Sequence, residues 1–206
     1  MPLPVHSPTL VDYSGRHISA AVPVRVASVA LAVAVTAASA QFTMPLPFTA
    51  VPFTFTPMAV LLTAAALGSR LGAVTQVIYL SLGALGLGVF SPSATLPPGL
   101  LRLVGPTGGY LMAYPLAAFV TGWLSERGWD RRYLTSFAAM LLGLGVIYLG
   151  GVSWLTVAYT HAVGPAVTMG LVQFVALDLM KIAAAAVVLP RTWRLVGGRA
   201  SAPKNQ

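Results

Sequence analysis

The chain has 206 residues, 57% of them hydrophobic and only 8% charged, and its mean hydropathy is +0.82. A soluble fold cannot hide that much apolar surface, whereas about six spans of ~15–20 residues joined by short loops fit this length, so one membrane domain is expected. The absence of cysteine excludes disulfides, thiolate metal sites and cysteine nucleophiles, and a formal charge of +8 spread singly between apolar blocks does not make a nucleic-acid-binding surface.

Residues 1–23 are polar and carry Pro2, Pro4 and Pro8, which reads as a loosely ordered tail. A first span is expected over 24–40. Arg25, the apolar run 26–35 and Ala38-Ser39-Ala40 before Gln41 also resemble a cleavable signal peptide. The long polar leader favours a retained helix, and the later topology is the same in either case. Pro45, Pro47, Pro52 and Pro57 then break any helical period, so residues 41–55 form an extended loop.

A short second helix is expected from Thr56 or Pro57 to Leu67, ended by a tight turn at Gly68-Ser69-Arg70-Leu71-Gly72. The third covers about 73–90. A second long non-helical loop follows from Ser91 to Thr107, and loops of this length in so small a protein are usually functional. The fourth span starts at Gly108-Gly109-Tyr110 and ends near Leu124, before a polar run from Ser125 to Arg132. The fifth covers about 133–151. After a connection over 153–165, a last apolar stretch reaches Leu189-Pro190 and is long enough for a re-entrant turn as well as a span. Residues 191–206 form a basic tail.

Cations orient this array. With both termini in the cytoplasm, the inside receives Arg16, Arg25, Arg70, Arg127, Arg131, Arg132, Arg191, Arg194, Arg199 and Lys204, and the outside only Arg102. The expected fold is therefore an all-α integral membrane protein of six transmembrane helices, N-in and C-in, with two long exterior loops that cover an outward-facing cavity.

Charges within a span cost ~2.5–3.5 kcal/mol each even on a lenient scale, so each needs a reason. Here Asp178 and Lys181 qualify, three residues apart and so on one helix face. Two readings stand: a self-neutralising structural pair, or the polar wall of a pocket in which the carboxylate accepts ligand N–H groups. Arg102 is either a partner for an anionic ligand group or a solvated or lipid-headgroup contact. Gly108 and Gly109 would expose backbone N–H groups near a ligand, but lack the Lys-Ser/Thr ending of a phosphate-binding loop. Phe53, Phe55, Tyr79, Phe90, Tyr110 and Tyr114 are candidates either for stacking on a ring or for an interfacial aromatic belt. Ala30, Ala34 and Ala38 form a small-residue ridge for an internal or an external helix. His6, His17 and His161 lack metal-ligand spacing, no catalytic constellation is present, and no ATPase motif occurs in the sequence.

Taken in order, Val51-Pro52-Phe53-Thr54, Leu67-Gly68-Ser69-Arg70-Leu71-Gly72-Ala73, Tyr79-Leu80-Ser81-Leu82-Gly83, Gly105-Pro106-Thr107-Gly108-Gly109-Tyr110 and Asp178-Leu179-Met180-Lys181 resemble the BioY family, the biotin-specific S components of energy-coupling-factor transporters. The resemblance covers about residues 24–190. It implies a six-helix, non-enzymatic subunit of the bacterial plasma membrane that captures biotin from outside, with no cofactor. Its implied partners are membrane lipid, a transmembrane coupling subunit and two cytoplasmic ATPases. It also implies ligand contacts at Asp178 and Lys181, with Thr54, Tyr79, Gly108, Gly109, Tyr110 and Phe174 around them, and docking of the coupling subunit on Ala30, Ala34 and Ala38. Arg102 is the candidate for the biotin carboxylate. The rival readings are the same scaffold with another vitamin or a biotin precursor, and an intramembrane enzyme. Whether Asp178 opens the last helix or lies inside a longer one stays open.

Overall fold

The computed structural model describes residues 9–11, 21–46, 49–93 and 96–200. Among them are six helices of twelve residues or more: α1 (Ala21–Gln41), α2 (Thr56–Leu67), α3 (Ser69–Ala84), α5 (Gly108–Ser125), α6 (Tyr133–Leu155) and α8 (Gln173–Ala200). Two short α-helices, α4 (Leu101–Val104) and α7 (Val163–Val167), and a 3-10 turn at Trp129–Arg131 also lie among the described residues. Among the described residues, three segments are long and apolar enough to cross a membrane: Val22–Gln41, Tyr133–Thr160 and Val163–Arg194.

The core forms where α2, α3, α5, α6 and α8 converge, around Leu61, Tyr79, Met140, Leu144, Ile147 and Ile182. Helix α1 lies at the periphery and turns Ala32, Val33, Thr36 and Ala40 inward. Helices α5 and α6 approach so closely that a Cβ on Gly109 would stand 2.2 Å from Cβ of Trp154 and 2.5 Å from the Gly150 carbonyl oxygen. Only glycine permits that crossing.

Several boundaries differ from those expected. The turn after α2 is one residue, Gly68, at φ 88°, and α3 begins at once with Ser69. Its first amide is satisfied from elsewhere in the chain: the Glu126 carboxylate accepts from the Ser69 backbone N–H at 2.7 Å and from its hydroxyl at 2.8 Å. Gly72, read as part of the turn, is instead a helical contact, with Ala64 Cα 3.0 Å from an added Cβ. Helix α3 ends at Ala84, six residues early, and the loop expected to be non-helical carries α4.

The greatest difference lies in the expected 153–165 connection. Helix α6 runs on through wider π-type turns at Thr156–Thr160, and the break is confined to His161 and Ala162, with His161 at φ 50°. From Val163 the chain stays helical to Ala200 through π-type turns at Thr168–Val172, so there is no re-entrant turn and helix continues past the expected tail boundary at 191. The N-terminal tail lies outside the described residues except for Thr9–Val11, where Thr9 is buried and Leu10 packs against the core.

The first long loop is closed by two short strands, β1 (Thr43–Met44) and β2 (Phe53–Thr54), antiparallel with Thr43 opposite Thr54. The Gln41 amide donates to the carbonyls of Gly88 and Phe90, joining the starts of both long loops. Arginines 25, 70, 127, 131, 132, 191 and 194 stand on the helix ends opposite these loops, where the Glu126–Ser69 contact and a Trp193–Asp130 hydrogen bond of 2.5 Å tie the chain together.

Candidate functional site

Beneath the two loops the helices surround a partly open cavity. Its roof is Val51–Thr54 with Ser91 and Thr107, and its walls include Tyr79, Tyr110, Tyr114, Tyr148, Phe174 and Asp178. Asp178 lies within the long last helix, about a turn and a half past the π-type segment. Asp178 therefore lies inside a longer helix and does not open it.

The Asp178 carboxylate is 6% exposed and holds a donor on each oxygen. Lys181 Nζ stands 2.5 Å from Oδ1, and the Tyr148 hydroxyl donates to Oδ2 at 2.5 Å. A carboxylate offers about four lone-pair positions, so each oxygen can still accept from a ligand N–H. Lys181 also donates to the Thr54 carbonyl at 2.6 Å and sits 3.9 Å from the centre of the Phe53 ring. Its ammonium therefore faces the loop and joins it to Asp178. Lys181 backs the cavity wall without lining it.

The wide turns of the last helix have a local purpose. They leave the Gly170 carbonyl to accept the Tyr110 hydroxyl at 2.8 Å, and a Cβ on Gly170 would stand 2.2 Å from that oxygen. Tyr79 is fully buried, donates to the Val89 carbonyl at 3.1 Å, stacks on Tyr114 and meets Phe90 edge-on. Phe55 is exposed and leans on Phe53.

Of the residues expected at the site, Thr54, Tyr79, Tyr110, Phe174 and Asp178 meet around the cavity. Gly108 and Gly109 do not line it. They face the Leu103 carbonyl and Trp154, and serve the approach of α5 to its neighbours. Arg102 lines an outer chamber that shares Pro52 and Thr107 with the inner cavity. It is 5% exposed and donates to the carbonyl and hydroxyl oxygens of Ser91. Burial lowers its affinity for its proton, and the neighbouring Tyr79 opposes that effect. Ala30, Ala34 and Ala38 are exposed on the outer side of α1. Tyr148 is the site residue that sequence reasoning missed. It lies inside an apolar span, and no motif or charge marks it.

No group of three or more metal-ligating side chains occurs among the described residues. At the opposite end of the bundle, burial raises the Asp130 carboxyl above the ordinary range, against the lowering effects of the Trp193 hydrogen bond, its own backbone and Arg131.

A deep cavity with one charged wall and aromatic sides, set in an apolar helical bundle, defines a membrane-embedded binding protein for a small molecule. The family model described as BioY family matches residues 15–198, and the chain belongs to that family. The biotin transporter BioY of Thermotoga maritima is 40% identical over 150 residues, covering 73% of this chain and 85% of that protein. The probable biotin transporter BioY of Pyrococcus horikoshii is 39% identical over 166 residues, covering 81% and 94%. The fold matches the crystal structure of the S-component for biotin from an ECF-type ABC transporter with a TM-score of 0.74, at 22% identity, over 82% of this chain and 90% of the other.

Proposed function

We propose that the chain is the biotin-capturing S component of an energy-coupling-factor importer. The observation that carries this reading is the Asp178 carboxylate, the one charged side chain in the wall of a cavity lined by aromatic, aliphatic and hydroxyl side chains. Biotin presents complementary groups: two ureido N–H donors, an apolar thioether ring, and a carboxylate on an alkyl tail. The ureido edge meets Asp178, the rings fill the aromatic walls, and the tail points outward past Pro52 and Thr107 to Arg102. Lys181 holds the loop and the carboxylate in register.

In this reading six helices span a bacterial plasma membrane with both termini inside and the two loops outside, the orientation favoured by the cation bias. The twelve-residue α2 has no exposed residue and lies among its neighbours in the bundle. Exposed Ala30, Ala34 and Ala38 give a flat helix surface on which a coupling subunit packs, and that subunit connects the binding protein to ATPases. Substrate movement and not covalent chemistry is the task, and no cofactor is needed. Uptake of radiolabelled biotin by cells lacking their own importer tests the proposal: this chain together with a coupling module should raise uptake well above the module alone. Equal uptake in the two strains would refute it.

A further inference from the structure

Three tyrosine hydroxyls at the inner cavity share a property that their individual contacts do not reveal. Tyr148 spends its proton on Asp178 Oδ2, Tyr110 on the Gly170 carbonyl, and Tyr79 on the Val89 carbonyl. A phenol has one proton and two lone pairs, so a hydroxyl whose proton is committed to the protein can only accept from a ligand. Beside them stands Asp178, itself an acceptor. Tyr148 on α6 and Asp178 on α8 therefore present acceptors side by side, with Tyr110 on α5 and Tyr79 on α3 on the other walls.

Resting on the biotin reading above, we propose that Tyr148 is a positioning and specificity residue: by donating to Asp178 it fixes that carboxylate against the cavity wall and creates an acceptor-only edge that selects ring N–H donors. The Tyr148–Asp178 contact is 2.5 Å, and both side chains line the cavity. Asp178 Oδ1 is held on its other side by Lys181, so the carboxylate cannot rotate without losing a charge-assisted bond. A ligand with N–H at this edge gains a hydrogen bond to each acceptor it meets. A ligand of equal size with a ring oxygen there faces lone pair against lone pair and leaves buried groups unpaired, the situation in which polar sites discriminate most strongly.

The test measures Kd values of purified wild type, Tyr148→Phe and Asp178→Asn for biotin and for the isosteric analogue in which one ureido N–H is replaced by a ring oxygen. For at least one of the two analogues, wild type should prefer biotin by roughly thirtyfold or more, about the worth of one hydrogen bond to a charged group. Tyr148→Phe should weaken biotin roughly tenfold while changing the analogue little, so the preference narrows. Adding Tyr148→Phe to Asp178→Asn should cost much less than it does in wild type, because the two act as a unit. Equal losses for biotin and analogue would mean that the hydroxyl only supports the fold, and would overturn the proposal. Unchanged biotin affinity in Tyr148→Phe would overturn it as well. Failure of wild type to bind biotin at all would instead remove the biotin reading, and this inference with it. If the phenylalanine variant does not fold, difluorotyrosine at position 148 keeps the ring and strengthens the donor. Fluorination also withdraws density from the phenol oxygen and, through the stronger donation, from Asp178, so it should weaken biotin more than the analogue, and no change in either would refute the assignment.

Discussion

Replacing Asp178 by asparagine keeps its shape and one acceptor but removes the charge. Two donors contact the carboxylate, Lys181 at 2.5 Å and Tyr148 at 2.5 Å, and the group is 6% exposed, so water screens it little. A hydrogen bond to a charged group contributes ~1.5–3 kcal/mol, against about 1 for a neutral one. Exchanging the carboxylate for an amide should cost the ligand ~1.4 kcal/mol, a roughly tenfold rise in Kd. The apo protein suffers too, because Lys181 loses its counter-charge at 9% exposure. Orphaning a buried partner costs ~3–5 kcal/mol in general. Lys181 keeps the Thr54 carbonyl and the Phe53 ring face, so the loss here should fall below that range. Titration calorimetry gives the affinity and melting of apo protein in detergent the stability. The double variant Asp178→Asn with Lys181→Met should recover apo stability but not binding, since it removes the unpaired charge as well. An Asp178→Asn protein that binds biotin within threefold of wild type would reduce the pair to a structural role.

Three further outcomes follow from the packing and charge. Gly109→Ala should lower the apo melting temperature by several degrees, because its Cβ would collide with Trp154 and the Gly150 carbonyl where α5 crosses α6; unchanged melting would contradict that crossing. Ala34→Leu, on the exposed side of α1, should leave biotin affinity intact and reduce uptake with the coupling module present, whereas lost binding would indicate internal packing. Asp130 binds its proton more readily in the folded chain, so folded protein holds more protons than unfolded protein above about pH 4, and stability falls as pH rises through the folded value. Asp130→Asn should flatten that fall in a melting-temperature series, and an unaltered slope would refute the account.

The sequence made some features plain and hid others for definable reasons. Pro57 in the first turn of α2 and Gly68 after its end mark that helix sharply, and its bounds matched. Gly72 looked equally like a turn residue, but the glycine there serves contact with Ala64, a tertiary fact with no local signature. The connection was expected to run over 153–165, yet proline is tolerated in the first turn of a helix, and only His161 and Ala162 break the chain. Asp178 and Lys181 were visible because a charge within an apolar stretch demands explanation. Their surroundings were not, since Tyr148 reaches Asp178 across 30 residues of sequence and only the packing of α6 on α8 brings them together. The glycines at 108 and 109 stood out as ligand-facing backbone, and the structure uses them to admit Trp154 and Leu103.

The central claim is that the cavity beneath the two loops captures biotin. Titrating the purified wild-type chain with biotin in detergent, without any partner subunit, tests it most directly. Saturable one-to-one binding at micromolar biotin or below, with a raised melting temperature, is the predicted result. No heat of binding and no change in melting at that concentration would contradict the claim.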